Sequence, residues 1–89
     1  MLKQETFKIA IVGLGRVGIT TAYAILLKGL ADELVLFSRD VKKAEGEKAD
    51  LEHGLPFYPK CHITASSDFE DLNGTDLVIF TAGCSQKPG

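Results

Sequence analysis

This sequence of 89 residues has no C-x-x-C pair, no long apolar run, no excess of one charge and no internal repeat. Each absence excludes something. The two cysteines, Cys61 and Cys84, stand apart from each other, and no His/Cys cluster has the spacing of a metal-ligand set. No signal-like leader precedes them, so they read as reduced, partly buried thiols of a cytoplasmic protein. The longest apolar run falls well short of the ~18 residues that a membrane span needs. A net charge of −2 and a pI near 5.6 offer no basic surface for nucleic acid or an anionic membrane. No low-complexity tract or Pro/Gly linker marks an internal boundary, so the chain is one small domain or part of one.

What is present is an ordinary globular composition, 45% apolar and 25% charged, arranged as strands alternating with helices. Phe7–Val12 is apolar almost throughout, as a buried parallel strand should be. Arg16–Gly29 predicts a helix with Val17, Thr21, Ala24, Ile25 and Leu26 on its packed side and Gly29 as its C-terminal stop. Glu33–Phe37 is a second strand. Asp40 reads as the N-cap of a second helix over Val41–Glu52. Gly54-Leu-Pro-Phe-Tyr-Pro is a loop, His62–Ala65 a third strand, Ser67–Leu72 a helical turn and Asp76–Thr81 a fourth strand. Ala82–Gly89 is an exit loop. The alternation predicts an α/β fold with a parallel sheet and right-handed crossovers.

The chemistry is concentrated between the first strand and the first helix. Gly13-Leu-Gly-Arg-Val-Gly is a G-x-G-x-x-G loop with a strand before it and a helix after it. Gly13 permits the tight turn, Gly15 lets a pyrophosphate approach the backbone, and Gly18 lets the helix lie close to the strand. The phosphates then meet a helix N-terminus, where free N–H groups and the macrodipole favour anions. This predicts a dinucleotide held along Leu14, Gly15, Arg16 and Val17. The carboxylates at 68, 70 and 71 read as a solvated acidic turn, not an acid–base pair.

Taken together, these residues resemble the N-terminal half of the cofactor domain of L-lactate dehydrogenases, in the lactate/malate dehydrogenase superfamily. The likeness runs over essentially the whole chain. It is carried by the glycine loop, by Gly29-Leu-Ala-Asp-Glu-Leu-Val-Leu, by Lys43-Ala-Glu-Gly-Glu-Lys-Ala-Asp-Leu-Glu-His-Gly and by Thr81-Ala-Gly-Cys-Ser-Gln-Lys-Pro-Gly. Leu55-Pro56-Phe57 leans towards lactate over malate enzymes. The resemblance implies a doubly wound Rossmann sheet of order 3-2-1-4, with the cofactor across the carboxyl ends of its strands. It implies cofactor contacts from Thr81, Ala82 and Gly83, a small 2-hydroxy or 2-oxo acid as substrate of the complete enzyme, and a homo-oligomer. The family's proton-relaying histidine–aspartate pair and substrate-binding arginines all lie beyond the position matching Gly89. Residues 1–89 are therefore expected to supply the N-terminal half of the cofactor domain and no catalytic residue. His53, which shares a helix face with Asp50, is expected at a packing or subunit interface. His62 is expected at an exposed strand edge.

One departure bears on the cofactor. NAD-preferring enzymes place an acid at the end of the second strand, about 20 residues past the glycine loop, to hold the ribose hydroxyls. Here that position is Ser38, followed by Arg39. A serine hydroxyl and a guanidinium accept a 2′-phosphate that a carboxylate would repel. The pair therefore leans towards NADP, or towards use of both NAD and NADP. The competing reading makes Arg39 a surface charge, with NAD bound through backbone contacts. Two functional alternatives stay open: a malate or branched 2-hydroxy acid enzyme, and a non-catalytic nucleotide-sensing module.

Overall fold

The computed structural model of the chain describes residues 6–54 and 61–81. Four parallel strands form one sheet: β1 (Lys8–Val12), β2 (Glu33–Phe37), β3 (His62–Ser66) and β4 (Leu77–Phe80), in the order β3-β2-β1-β4. Two helices connect them, α1 (Arg16–Lys28) and α2 (Val41–Gly54), with a 3₁₀ turn at Phe69–Leu72. The expected α/β class and strand order are both present. The loop expected at 55–60 and the exit loop from Ala82 lie outside the described residues.

Parallel register decides which side chains share a face. Ile9 pairs with Leu34 and Ile11 with Leu36, while Leu34 pairs with Ile63. These five residues form one apolar layer, because side chains two apart along a strand point the same way. Ala22, Ile25 and Leu26 of α1 and Ala44 and Leu51 of α2 close over that layer in a single buried cluster. Both helices therefore pack on one face of the sheet. The opposite face carries Ala10, Val35 and Phe37, all buried, and then Val12 and Val78, which are half-buried.

Helix α1 turns its predicted face only in part. Gly18, Ala22, Ile25 and Leu26 are buried, whereas Val17 and Ala24 are exposed and Thr21 is half-buried. The reason is a contact made outside the helix. Gly18 lies against the Gly13 carbonyl, so close that an added Cβ would fall 2.1 Å from that oxygen. With Gly18 facing the sheet, positions 17 and 24 sit roughly 100–120° round the helix at 3.6 residues per turn, away from the core. Apolarity alone could not set that phase.

The ends of the helices follow their local chemistry. Gly29 adopts a left-handed conformation (φ 63°) and its N–H donates to the carbonyl of Leu26, ending α1 as expected. Asp40 caps α2: its Oδ1 accepts from the Lys42 N–H at 3.1 Å and its carbonyl accepts from Lys43 and Ala44. That helix runs to Gly54, two residues past its expected end. In the 3₁₀ turn Asp68 accepts from the Glu70 N–H, and Asp71 accepts from the Ser66 hydroxyl. These acidic residues are exposed and bonded locally, as a solvated turn should be. No described helix is long and apolar enough to cross a membrane.

Candidate functional site

The glycine loop leaves β1 at its carboxyl end. Gly13 has φ +100°, a conformation that side-chain-bearing residues rarely adopt, and a Cβ there would lie 2.2 Å from the Thr81 carbonyl oxygen. Its N–H donates to the Phe37 carbonyl at 3.2 Å, which ties the turn to β2. Thr81, immediately after β4, ties it on the other side. The Thr81 N–H donates to the Val12 carbonyl at 2.9 Å. Its hydroxyl donates to the Gly13 carbonyl at 2.8 Å. The loop is thus held between the ends of β2 and β4.

Leu14 is buried and anchors the loop in the core. Gly15 is the N-cap of α1 in extended conformation, and its carbonyl accepts the first helical bond from Ile19 at 3.0 Å. No side chain caps this end and the first turn carries no acid. The N–H groups of Arg16, Val17 and Gly18 precede the first intrahelical bond and so lack helical acceptors. Such a terminus attracts an anion. Val17 contributes backbone only, since its side chain is exposed and points away from the core.

Ser38 and Arg39 follow β2. The Ser38 N–H donates to the Ser66 carbonyl, which seats the residue at the carboxyl end of the sheet. The Ser38 hydroxyl accepts from the Asp40 N–H at 3.2 Å, so its own proton is free to donate. Asp40 is occupied with capping, as the sequence suggested. Arg39 is exposed.

Among the described residues, two cavities flank the loop. One, of about 410 Å³, is lined by Val12, Gly13, Phe37, Ser38 and Arg39 together with Phe69 and Phe80. It lies where the strands end: Val12 pairs with Phe37 on one side and with Phe80 on the other. Phe69 leans on Phe37 with ring centroids 4.9 Å apart. Phe69 and Phe80 are 73% and 74% exposed, an apolar platform suited to a planar ring. The other cavity, of about 440 Å³, opens between α1 and α2 beside Gly15 and Arg16, with Thr20, Lys43 and Glu47 on its walls.

The structure therefore brings together Gly13, Leu14, Gly15, Arg16, Val17, Gly18, Ser38, Arg39 and Thr81. Ala82 and Gly83 lie outside the described residues. Val12, Phe37, Phe69, Phe80, Thr20, Lys43 and Glu47 were not anticipated. A sequence signal existed for three of them: Val12, Phe37 and Phe80 are each the last residue of an apolar strand, where such sheets bind ligands. The histidines stand elsewhere. His62 pairs with Glu33 at the opposite end of the sheet, and His53 is exposed near the end of α2. Cys61 is half-buried and free, and burial, then the nearby carboxylates of Asp32 and Glu33, push its thiol up to about 11. It is a protonated, unreactive thiol at neutral pH. Cys84 lies outside the described residues. Among the described residues no group of three or more His, Cys, Asp or Glu could hold a metal ion.

A dinucleotide fits this geometry on three counts: a turn with no room for a Cβ, an uncapped helix end, and an apolar platform beside a hydroxyl and a guanidinium. The family model for the NAD-binding domain of lactate/malate dehydrogenase matches residues 7–89. The chain belongs to that family. It is similar to the L-lactate dehydrogenase of Clostridium botulinum (strain Hall), with 47% identity over 87 residues, 98% of this chain and 27% of the relative. Among solved structures it matches a lactate dehydrogenase from a Medee basin deep-sea metagenome library. That match has a TM-score of 0.83 and 46% identity, over 94% of this chain and 27% of the other. It also matches the lactate dehydrogenase of Cryptosporidium parvum complexed with lactic acid and nicotinamide adenine dinucleotide. There the TM-score is 0.84 and the identity 31%, over 97% of this chain and 27% of that one. The chain thus spans about a quarter of the length of the relatives it matches.

Proposed function

We propose that this chain holds the nicotinamide dinucleotide of an L-lactate dehydrogenase and accepts NADP(H) at least as well as NAD(H). Residues 1–89 form the first half of the cofactor domain in this reading, and substrate is handled elsewhere in the complete enzyme. The observation that carries it is the uncapped α1 N-terminus behind a turn that excludes any Cβ. The pyrophosphate lies against the backbone of Leu14–Val17. The adenosine occupies the cavity of Val12, Phe37 and Phe80, with its ribose at Ser38 and Arg39. Thr81 closes the site from the β4 side. Bound nicotinamide supplies hydride donation and acceptance at its ring. The residues of this chain bind and orient it, and none relays a proton to substrate.

The lean towards NADP rests on charge. The position that would repel a 2′-phosphate is a serine whose hydroxyl proton is free, beside an exposed guanidinium, and the nearby carboxylate of Asp40 is engaged by the Lys42 N–H. Calorimetric titration tests both parts. Gly15→Val places a branched side chain where the phosphate must approach and weakens both cofactors by about 2 kcal/mol or more; unchanged affinity would sink the placement. Ser38→Asp shifts the ratio of dissociation constants towards NAD. A wild-type preference for NAD of tenfold or more, ~1.4 kcal/mol, refutes the lean and leaves the dinucleotide site standing.

A further inference from the structure

Ser66 ends β3 and is buried, 3% exposed, although its side chain is polar. A buried hydroxyl is costly unless it is hydrogen-bonded. This one is bonded twice to one short segment. It accepts from the Asp68 N–H at 2.9 Å and donates to the Asp71 carboxylate. A hydroxyl has a single proton, and the charged carboxylate takes it in preference to the Asp68 carbonyl at 3.4 Å. The two partners bracket Phe69 in the chain: Asp68 is the N-cap of the 3₁₀ turn and Asp71 lies within it. That turn buries none of its residues, so packing does little to fix it. Beyond its tilted contact with Phe37, the exposed Phe69 ring depends on the turn beneath it. The Ser66 carbonyl meanwhile accepts from the Ser38 N–H at 3.0 Å. One residue thus ties down two walls of the same cavity, Phe69 through its side chain and Ser38 through its backbone, without lining that cavity itself.

We propose that Ser66 and Asp71 are positioning residues for the adenine ring: their hydrogen bond holds the 3₁₀ turn so that Phe69 stands as a fixed wall of the apolar cavity. This role rests on the dinucleotide reading of that cavity. Neither residue touches the ligand. A wall that is already ordered costs the ligand nothing to assemble, whereas a mobile one must be immobilised on binding, at the expense of affinity. Without the Ser66 hydroxyl, the turn loses its bond to β3 and Phe69 keeps only its contact with Phe37. The carbonyl that seats Ser38 is untouched by such a change, so the two walls can be perturbed separately.

The test is the dissociation constant of NAD, measured by calorimetry on the full chain for wild type, Ser66→Ala, Asp71→Ala, Phe69→Ala and the two double variants that include Phe69→Ala. Phe69→Ala weakens NAD about tenfold, the size of one base–aromatic contact. Ser66→Ala and Asp71→Ala each weaken it roughly threefold to fivefold, because a tethered ring becomes a mobile one. In the Phe69→Ala background both of these losses vanish, since a residue that acts through the ring has nothing left to position. Asp71 is exposed, so Asp71→Ala carries the test if the buried Ser66→Ala change unfolds the chain. Equal losses in the two backgrounds would mean that the hydrogen bond serves the fold alone, and would overturn the proposal. Unchanged affinity in Phe69→Ala, or in both Ser66→Ala and Asp71→Ala, overturns it too. A wild-type chain that binds neither NAD nor NADP refutes the dinucleotide reading itself, and is told apart from these results because it fails before any substitution.

Discussion

Replacing Gly18 with alanine sets two well-measured effects against each other. In an ordinary helix interior the change gains about 1 kcal/mol, because alanine loses less backbone entropy and is the best helix former. At Gly18 the new Cβ would lie 2.1 Å from the Gly13 carbonyl oxygen and 3.0 Å from Thr81 Oγ1. A carbon and a carbonyl oxygen need roughly 3.3 Å or more. The glycine turn must therefore retreat by over ~1 Å, and the obstructing atom is backbone, which cannot swing aside as a side-chain tip can. Overpacking of this kind costs about 1–3 kcal/mol. Retreat also strains the Thr81 hydroxyl bond to the same oxygen, worth about 1 kcal/mol more. The cost exceeds the propensity gain, and Gly18→Ala destabilises by about 1–3 kcal/mol. Gly46 is the control: it lies in α2 with nothing within 4 Å of its would-be Cβ, so Gly46→Ala stabilises. The expected gain is about 0.5–1 kcal/mol. Urea or thermal denaturation separates the two, since 1 kcal/mol moves the melting point by about 4–8 °C in a domain of this size. A Gly18→Ala protein that melts at or above wild type would refute the argument, because it would mean that the turn yields without cost.

Two further expectations follow from the surface and from Cys61. The β4 edge exposes Leu77 and Phe80, apolar positions that template pairing between chains, so the 89-residue chain self-associates at micromolar concentration and Phe80→Lys reduces the scattering; monomeric wild type by light scattering contradicts this. The Cys61 thiol is raised from 9.0 to about 11, so the folded state favours its protonated form, and the stability this contributes is full below pH 9 and is lost as pH rises towards 11. Iodoacetamide should label Cys61 of the folded chain slowly at pH 8 and markedly faster above pH 10, and rapid labelling at pH 8 contradicts the burial.

What could be read from the sequence was whatever local rules decide. The β1–loop–α1 unit was legible because three glycines at fixed offsets answer three backbone demands. Gly29 and Asp40 were legible because a helix end needs a left-handed residue or a capping oxygen at a known offset. The packed face of α1 was not legible in full: Val17 and Ala24 are as apolar as Ala22, and only the contact of Gly18 with the Gly13 carbonyl chooses between them. The cavities were missed for a related reason. Phe37 and Phe80 line one cavity because β2 and β4 both pair with β1, Phe69 of the 3₁₀ turn leans on Phe37, and Lys43 shares a cavity with Gly15 only because α1 and α2 lie on the same face of the sheet. Periodicity within one element carries no information about a neighbour in another.

The bond from Thr81 to the Gly13 carbonyl joins residues 68 positions apart. The cradle formed by the glycine loop is thus completed by a residue made 68 positions later. During synthesis at about 5–20 residues per second, the glycine loop waits roughly 3–14 s for Thr81 to be made. Throughout that interval the loop has its sequence but lacks one of the two strands that hold its shape. The chain cannot grasp a dinucleotide as its first helix forms. Ligand capture has to follow the docking of β4, so the first-made loop becomes competent only after residues made much later have folded onto it.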